Sequence, residues 1–163
     1  MGIKIQRLVN QLKETGMDQI DRQILKILQE NARTPLKVIA AKTFLSPPAV
    51  SARIAHLEEE GTIRGYHAEV NPFALGYHIL AFINLQVEPP QKVTFYPFAE
   101  RCPNVLECSC VTGPFSMLLK VAFASMTELD AFIGQLQEFG KTSTQIVFST
   151  HTGPRGVNPE VEN

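Results

Sequence analysis

Between Asn71 and Gly76 the apolar residues of this chain change their period, so one half is helical and the other alternates as strands do. Upstream, apolar side chains recur every three or four residues. Downstream, from Tyr77, they recur every second residue. The segment between, Asn71-Pro72-Phe73-Ala74-Leu75-Gly76, is rich in turn formers and reads as a linker. The 163 residues suffice for two small domains, and a hydrophobic content of 44% gives each one a core.

The helical half divides into short segments with clear boundaries. In residues 1–16, Ile5, Leu8, Val9 and Leu12 predict an N-terminal extension helix that docks on its own domain or on a partner subunit. Asp18 is a good cap for a helix whose stripe is Ile20, Ile24, Ile27 and Leu28, running to about Asn31. Thr34-Pro35 predicts a second capped start, with Leu36, Ile39 and Ala40 facing inward. Thr43-Phe44-Leu45 connects to a third helix, in which Ser46 caps, Pro47 and Pro48 fill the first turn, and Gly61 closes the end. Val50, Ile54 and Leu57 form its apolar stripe. Thr62–Val70 is β-prone and reads as a strand or wing. Three such helices and a wing over residues 17–70 predict a winged helix-turn-helix, whose third helix is the usual DNA-recognition element. A helical bundle used only for dimerisation is the other reading.

The second half predicts strands at Ile79–Val87, Val105–Val111, Ser116–Phe123 and Thr142–Thr150. Phe95, Phe98 and Ala99 mark a short helix between the first two. Leu129, Phe132, Ile133, Leu136 and Phe139 mark another, starting near Ser125 and stopping at Gly140. The order β-α-β-β-α-β over residues 77–151 is that of a ferredoxin-like unit, giving an α+β chain overall. The tail 152–163, with Gly153, Pro154, Gly156 and Pro159, predicts disorder.

Composition narrows the function classes. Residues 1–70 carry ten Lys and Arg against eight Asp and Glu, while residues 71–163 carry five against eight. A slightly basic first half suits a nucleic-acid module. Cys102, Cys108 and Cys110 lack a CxxC spacing and read as small buried hydrophobes, with zinc binding or a redox switch as the other reading. The four histidines form no ligand motif, so neither metal nor cofactor is expected. No run is long enough to span a bilayer and the N-terminus lacks a signal-peptide pattern, which predicts a cytoplasmic address at the nucleoid and no membrane partner. No nucleophilic triad, phosphate loop or carboxylate pair predicts catalysis.

The outward face of the third helix carries Pro48, Ala52, Ala55 and Glu59, with Ala49, Ser51 and His56 on its flanks. The DNA-facing candidates are therefore Ser46, Pro47, Pro48, Ser51, Ala52, Arg53 and His56, with Lys37, Lys42 and Arg64 as backbone contacts. Arg53 lies toward the core edge and suits phosphate clamping or an internal salt bridge better than guanine readout. Such a face predicts poor direct reading of bases, with selectivity drawn from repeated half-sites and DNA shape.

Several motifs resemble the Lrp/AsnC (leucine-responsive, feast/famine) regulators. They are Met17–Leu25, Leu45-Ser46-Pro47, Arg53-Ile54, Leu57–Ile63, Asn71-Pro72, Leu75-Gly76, Val111-Thr112-Gly113, Leu118–Val121 and Thr142–Val147. The resemblance covers about residues 17–151. It implies a DNA-binding transcriptional regulator that pairs sheet to sheet into homodimers or octamers and takes a small effector, commonly an amino acid. The implied effector residues are Gly113, Pro114, Phe115 and Ser116 in the hairpin, and Thr142, Ser143 and Thr144 in the last strand. The family's hairpin usually reads Gly-Asp-Tyr-Asp, whereas Gly113-Pro114-Phe115-Ser116 carries no acid. Ser116 then offers a ligand a neutral hydrogen bond worth about 1 kcal/mol. A sirohaem decarboxylase-like subunit and an effector-independent DNA organiser are the alternative functions.

Overall fold

The computed structural model describes residues 16–160; the expected N-terminal helix over 1–16 lies essentially outside them. The chain forms two compact units, one comprising the chain up to Ala68 together with the segment from Gly153, the other Glu69–Thr152. Among the described residues no helix is long and apolar enough to cross a membrane.

The first unit contains α1 (Gln19–Glu30), α2 (Leu36–Thr43) and α3 (Pro47–Glu59). Asp18 caps α1 reciprocally with Asp21, each carboxylate accepting the other's backbone N–H. Ile24, Ile27, Leu28, Ile39, Ala40 and Val50 form the core, with Ile20, Leu45, Ile54 and Ile63 against it. Two expectations for α2 fail. Thr34 does not cap it, because its hydroxyl donates to the Asn31 carbonyl and Pro35 takes the cap position. Leu36 is 41% exposed, because Ile39 and Ala40 already fill the inward face.

The expected strand at Thr62–Val70 does not form. Its beginning is anchored to the helices, where Ile63 N–H donates to the Leu57 carbonyl and its side chain packs on the core. Tyr66 Oη donates to Glu58 at 2.8 Å; desolvation first, then that carboxylate, push the phenol up to about 12. The tail read as disordered has defined contacts up to Glu160. Arg22 Nη1 donates to the Pro159 carbonyl at 2.6 Å and Lys26 pairs with Glu160 at 3.2 Å. Composition marks such a segment as unable to build its own core, and does not register that α1 offers it cations.

The second unit orders its elements as β1 (Ile79–Leu85), α4 (Lys92–Arg101), β2 (Val105–Cys110), β3 (Met117–Phe123), α5 (Met126–Gln137) and β4 (Thr142–Ile146). The sheet order is β2-β3-β1-β4, antiparallel throughout. Ala81, Ile83, Leu85, Met117, Leu119 and Val121 share a core with Phe95, Phe132 and Leu136 from the helices. The last strand stops at Ile146 and not at Thr150, because its partner β1 begins at Ile79; Val147 N–H reaches the Leu80 carbonyl and Phe148 is then 99% exposed. The cysteines also depart from expectation. Cys108 and Cys110 are exposed, because β2 is an edge strand that the helices leave uncovered, and Cys102 is only partly buried.

Candidate functional site

Two places gather the candidate residues, one in each unit. In the first, Ser46 Oγ accepts the Ala49 N–H at 3.3 Å and so starts α3 with Pro47 and Pro48 in its first turn. Val50 and Leu57 are buried, whereas Pro47, Pro48, Ser51, Ala52, Ala55 and His56 are exposed on the same helix. His56 Nε2 lies 3.2 Å from Glu60 one turn on. Lys37 on α2 and Arg64 beyond α3 are also exposed.

Arg53 is placed apart from the others. Its Nη1 donates to Asp18 Oδ2 and to Asp21 Oδ1, both at 2.8 Å, so the guanidinium clamps α3 to the capped start of α1. The two carboxylates raise the Arg53 pKa further above its ordinary value. The Asp18 carboxyl is held below its ordinary value, first by the Asp21 backbone N–H and then by Arg53. The internal salt bridge weighed from the sequence is therefore present, and this arginine orients the helix.

Residues the sequence did not single out also belong to this unit. Phe44, in the turn between α2 and α3, has φ 56° and ψ 32° and is 95% exposed. Nothing in the residue types announces left-handed backbone at a phenylalanine, so no sequence signal marked it. Arg22 and Lys26 line one cleft with Glu160 of the tail and with Lys42, itself expected as a DNA-backbone contact, a grouping no local pattern announces.

In the second unit the hairpin turn and the start of β4 meet at one end of the sheet. Leu85, the last residue of β1, pairs with Met117 on one side and Thr142 on the other. Beyond it, Gln86 N–H donates to the Lys141 carbonyl, and Ser116 N–H donates to the Leu85 carbonyl. Val111 N–H closes the hairpin onto the Ser116 carbonyl, with Gly113 at φ 114° in the turn and Pro114 exposed beside a half-buried Phe115. Thr142 and Thr144 share the helix-bearing face with their partners Leu85 and Ile83, while Ser143 shares the opposite face with Asn84. The three hydroxyls therefore do not converge.

Ser116, expected to face a ligand, is engaged by the main chain. Its Oγ accepts the Val87 N–H at 2.9 Å and donates to the Val87 carbonyl at 3.0 Å. The hydroxyl proton and one of the two lone pairs are used on backbone, so Ser116 holds the turn in place. Gly140, read from the sequence as a helix stop, has a tighter constraint. A Cβ there would fall on the Gln86 carbonyl, and its φ is 153°.

A family model of the AsnC-type helix-turn-helix domain matches residues 17–58, and one of the Lrp/AsnC ligand binding domain matches residues 80–156. The transcriptional regulator FL11 of Pyrococcus abyssi is 36% identical over 139 residues, 83% of this chain and 92% of the relative. Among solved structures, the feast or famine regulatory protein from M. tuberculosis complexed with L-methionine is 29% identical with a TM-score of 0.80, covering 88% of this chain and 99% of that one. LrpC of B. subtilis is 28% identical with a TM-score of 0.78, covering 84% and 98%. These relatives favour the regulator over the sirohaem decarboxylase alternative.

Proposed function

The chain belongs to the Lrp/AsnC family of transcriptional regulators, and from that premise we propose how its residues divide the work. The observation that carries the reading is the exposed face of α3, capped by Ser46 and presenting Pro47, Pro48, Ser51, Ala52 and His56. This face enters the major groove of double-stranded DNA. Lys37 and Arg64 contact phosphates, and Ser51 and His56 are the polar groups within reach of base edges. Arg53 serves indirectly, by fixing α3 through Asp18 and Asp21. With few base-reading donors on the helix, selectivity comes from repeated half-sites on a homodimer or octamer and from DNA shape.

The effector is a small amino acid, read at the sheet end bounded by Gly113, Pro114, Phe115 and Thr142, with Ser116 holding the hairpin and Ser143 and Thr144 flanking it. The methionine complex of the mycobacterial relative supports this class. Dimers form through the sheet face that carries no helix, where Phe82 is 36% exposed and Leu118 and Lys120 are half-buried.

A single titration tests the reading. Affinity for a promoter fragment is followed by fluorescence anisotropy across salt concentrations, with and without L-methionine. The logarithm of the binding constant falls linearly with the logarithm of salt, by about 0.9 per phosphate neutralised, and methionine shifts the midpoint. An affinity independent of salt overturns the DNA interface, and curves that superimpose with and without methionine overturn this effector.

A further inference from the structure

Cys108 and Cys110 lie two residues apart on edge strand β2, opposite Leu119 and Met117 of β3. Both thiols therefore face the side of the sheet that bears the helices, yet both cysteines are exposed. A cleft of about 300 Å³ opens there beside α4, lined by Tyr96, Glu100, Cys108, Cys110 and Met117 among others. Met117 is fully buried and contributes to its floor. As the cross-strand partner of Cys110 it brings its Cβ within about 4.5–5.5 Å of that residue's Cβ. Lys92 Nζ stands 3.8 Å from Cys110 Sγ.

We propose that Cys108, Cys110 and Met117 form a binding site for a soft monovalent cation, Cu(I), in the cleft beside β2. Thiolate and thioether donors together select Cu(I), whereas zinc takes thiolate, imidazole and carboxylate. Glu100 and Glu107 line the same cleft. Among the described residues, however, no three His, Cys, Asp or Glu side chains are grouped to hold a metal, so a harder ion has no adequate shell. Alternate strand positions place the two Cα atoms about 6.6–6.8 Å apart, at the outer limit for a direct disulfide. A metal ion adds two metal–sulfur bonds to the span and relieves that limit. On binding, each thiol loses its proton to solvent as its sulfur bonds the metal, and no electron is transferred. The resulting bis-thiolate complex carries one negative charge, which the Lys92 ammonium offsets.

The test is an anaerobic titration of the full chain with Cu(I) against the chromophoric competitor bicinchoninate. The wild-type chain withholds one equivalent of Cu(I). Cys108→Ser and Cys110→Ser each lose it, and Cys102→Ser keeps it. Met117→Leu, which preserves apolar volume, weakens the hold. A wild-type chain that withholds no copper overturns the site, and so does a Cys108→Ser/Cys110→Ser double variant that still withholds an equivalent. Unchanged affinity in a folded Met117→Leu variant overturns the three-sulfur set. A circular dichroism melt of each variant shows that it is folded, and DNA affinity without copper is read separately.

Discussion

The Ser116 hydroxyl bonds the main chain of Val87 twice, accepting its N–H at 2.9 Å and donating to its carbonyl at 3.0 Å. The side chain thereby continues the β1–β3 pairing past Leu85, where the regular ladder ends. Val87 is 3% exposed, so water cannot replace these bonds without local opening.

Ser116→Ala leaves both Val87 groups without their partner and costs about 1–3 kcal/mol. Ser116→Asp also destabilises, because an ionised carboxylate accepts but cannot donate to the Val87 carbonyl. Ser116→Thr keeps the hydroxyl and loses less. Urea unfolding of the four proteins ranks them; an Ala variant as stable as wild type would refute the structural role given to this serine.

What was legible in the sequence was local. The Asp18 and Ser46 caps act over three residues, and both could be read from residue type and position. The change of period likewise announced the helical and sheet units and the order of strands and helices. What was not legible depends on partners far along the chain. Arg53 finds its carboxylates 32 and 35 residues upstream, and Ser116 finds Val87 29 residues away. The end of β4 is set by where β1 begins, and the exposure of Cys108 and Cys110 by the edge position of β2. Among the site residues, the exposed face of α3 followed from the sequence and a salt bridge was one of the two readings of Arg53, whereas the partners of Arg53 and the task of Ser116 did not.

The capped start of α1 makes the first unit sensitive to acid. The Asp18 carboxyl titrates below its ordinary value of 3.8, through the Asp21 N–H first and Arg53 second. A carboxyl with a depressed folded pKa stabilises the fold above its unfolded pKa, and that contribution disappears as pH falls through the folded pKa. Stability from Asp18 is therefore constant near neutrality and declines below about pH 4. Asp18→Asn lowers the urea midpoint at pH 7 and flattens its acid limb relative to wild type. Arg53→Ala costs about 1 kcal/mol at pH 7, given the exposure of Asp18. Parallel acid limbs in wild type and Asp18→Asn would contradict the assignment.

Two glycines should respond in opposite directions. Gly140→Ala places a methyl group on the Gln86 carbonyl in a backbone conformation that disfavours L side chains, at a cost of about 2–4 kcal/mol. Gly134 lies within α5 with nothing near its missing Cβ, so Gly134→Ala stabilises by about 0.5–1 kcal/mol. Thermal melts of the two variants check the pair. Equal shifts would show that the Gly140–Gln86 approach relaxes without cost.

Phe44 occupies left-handed backbone, at φ 56° and ψ 32°, in the turn that leads into α3. That conformation costs a side-chain-bearing residue about 1–2 kcal/mol, and a ring that is 95% exposed gains almost no packing in return. Phe44→Gly relieves the strain at an entropic cost of about 0.5–1 kcal/mol, so the first unit becomes more stable by up to about 1 kcal/mol. Strain retained beside the helix proposed to face DNA, when glycine would remove it, points to work done by the ring itself. The expected result is a higher melting temperature together with weaker binding to a promoter fragment at fixed salt. A variant that melts higher and binds DNA as tightly as wild type would place Phe44 outside the interface. One that melts lower would mean that the exposed ring is covered by something that stabilises it.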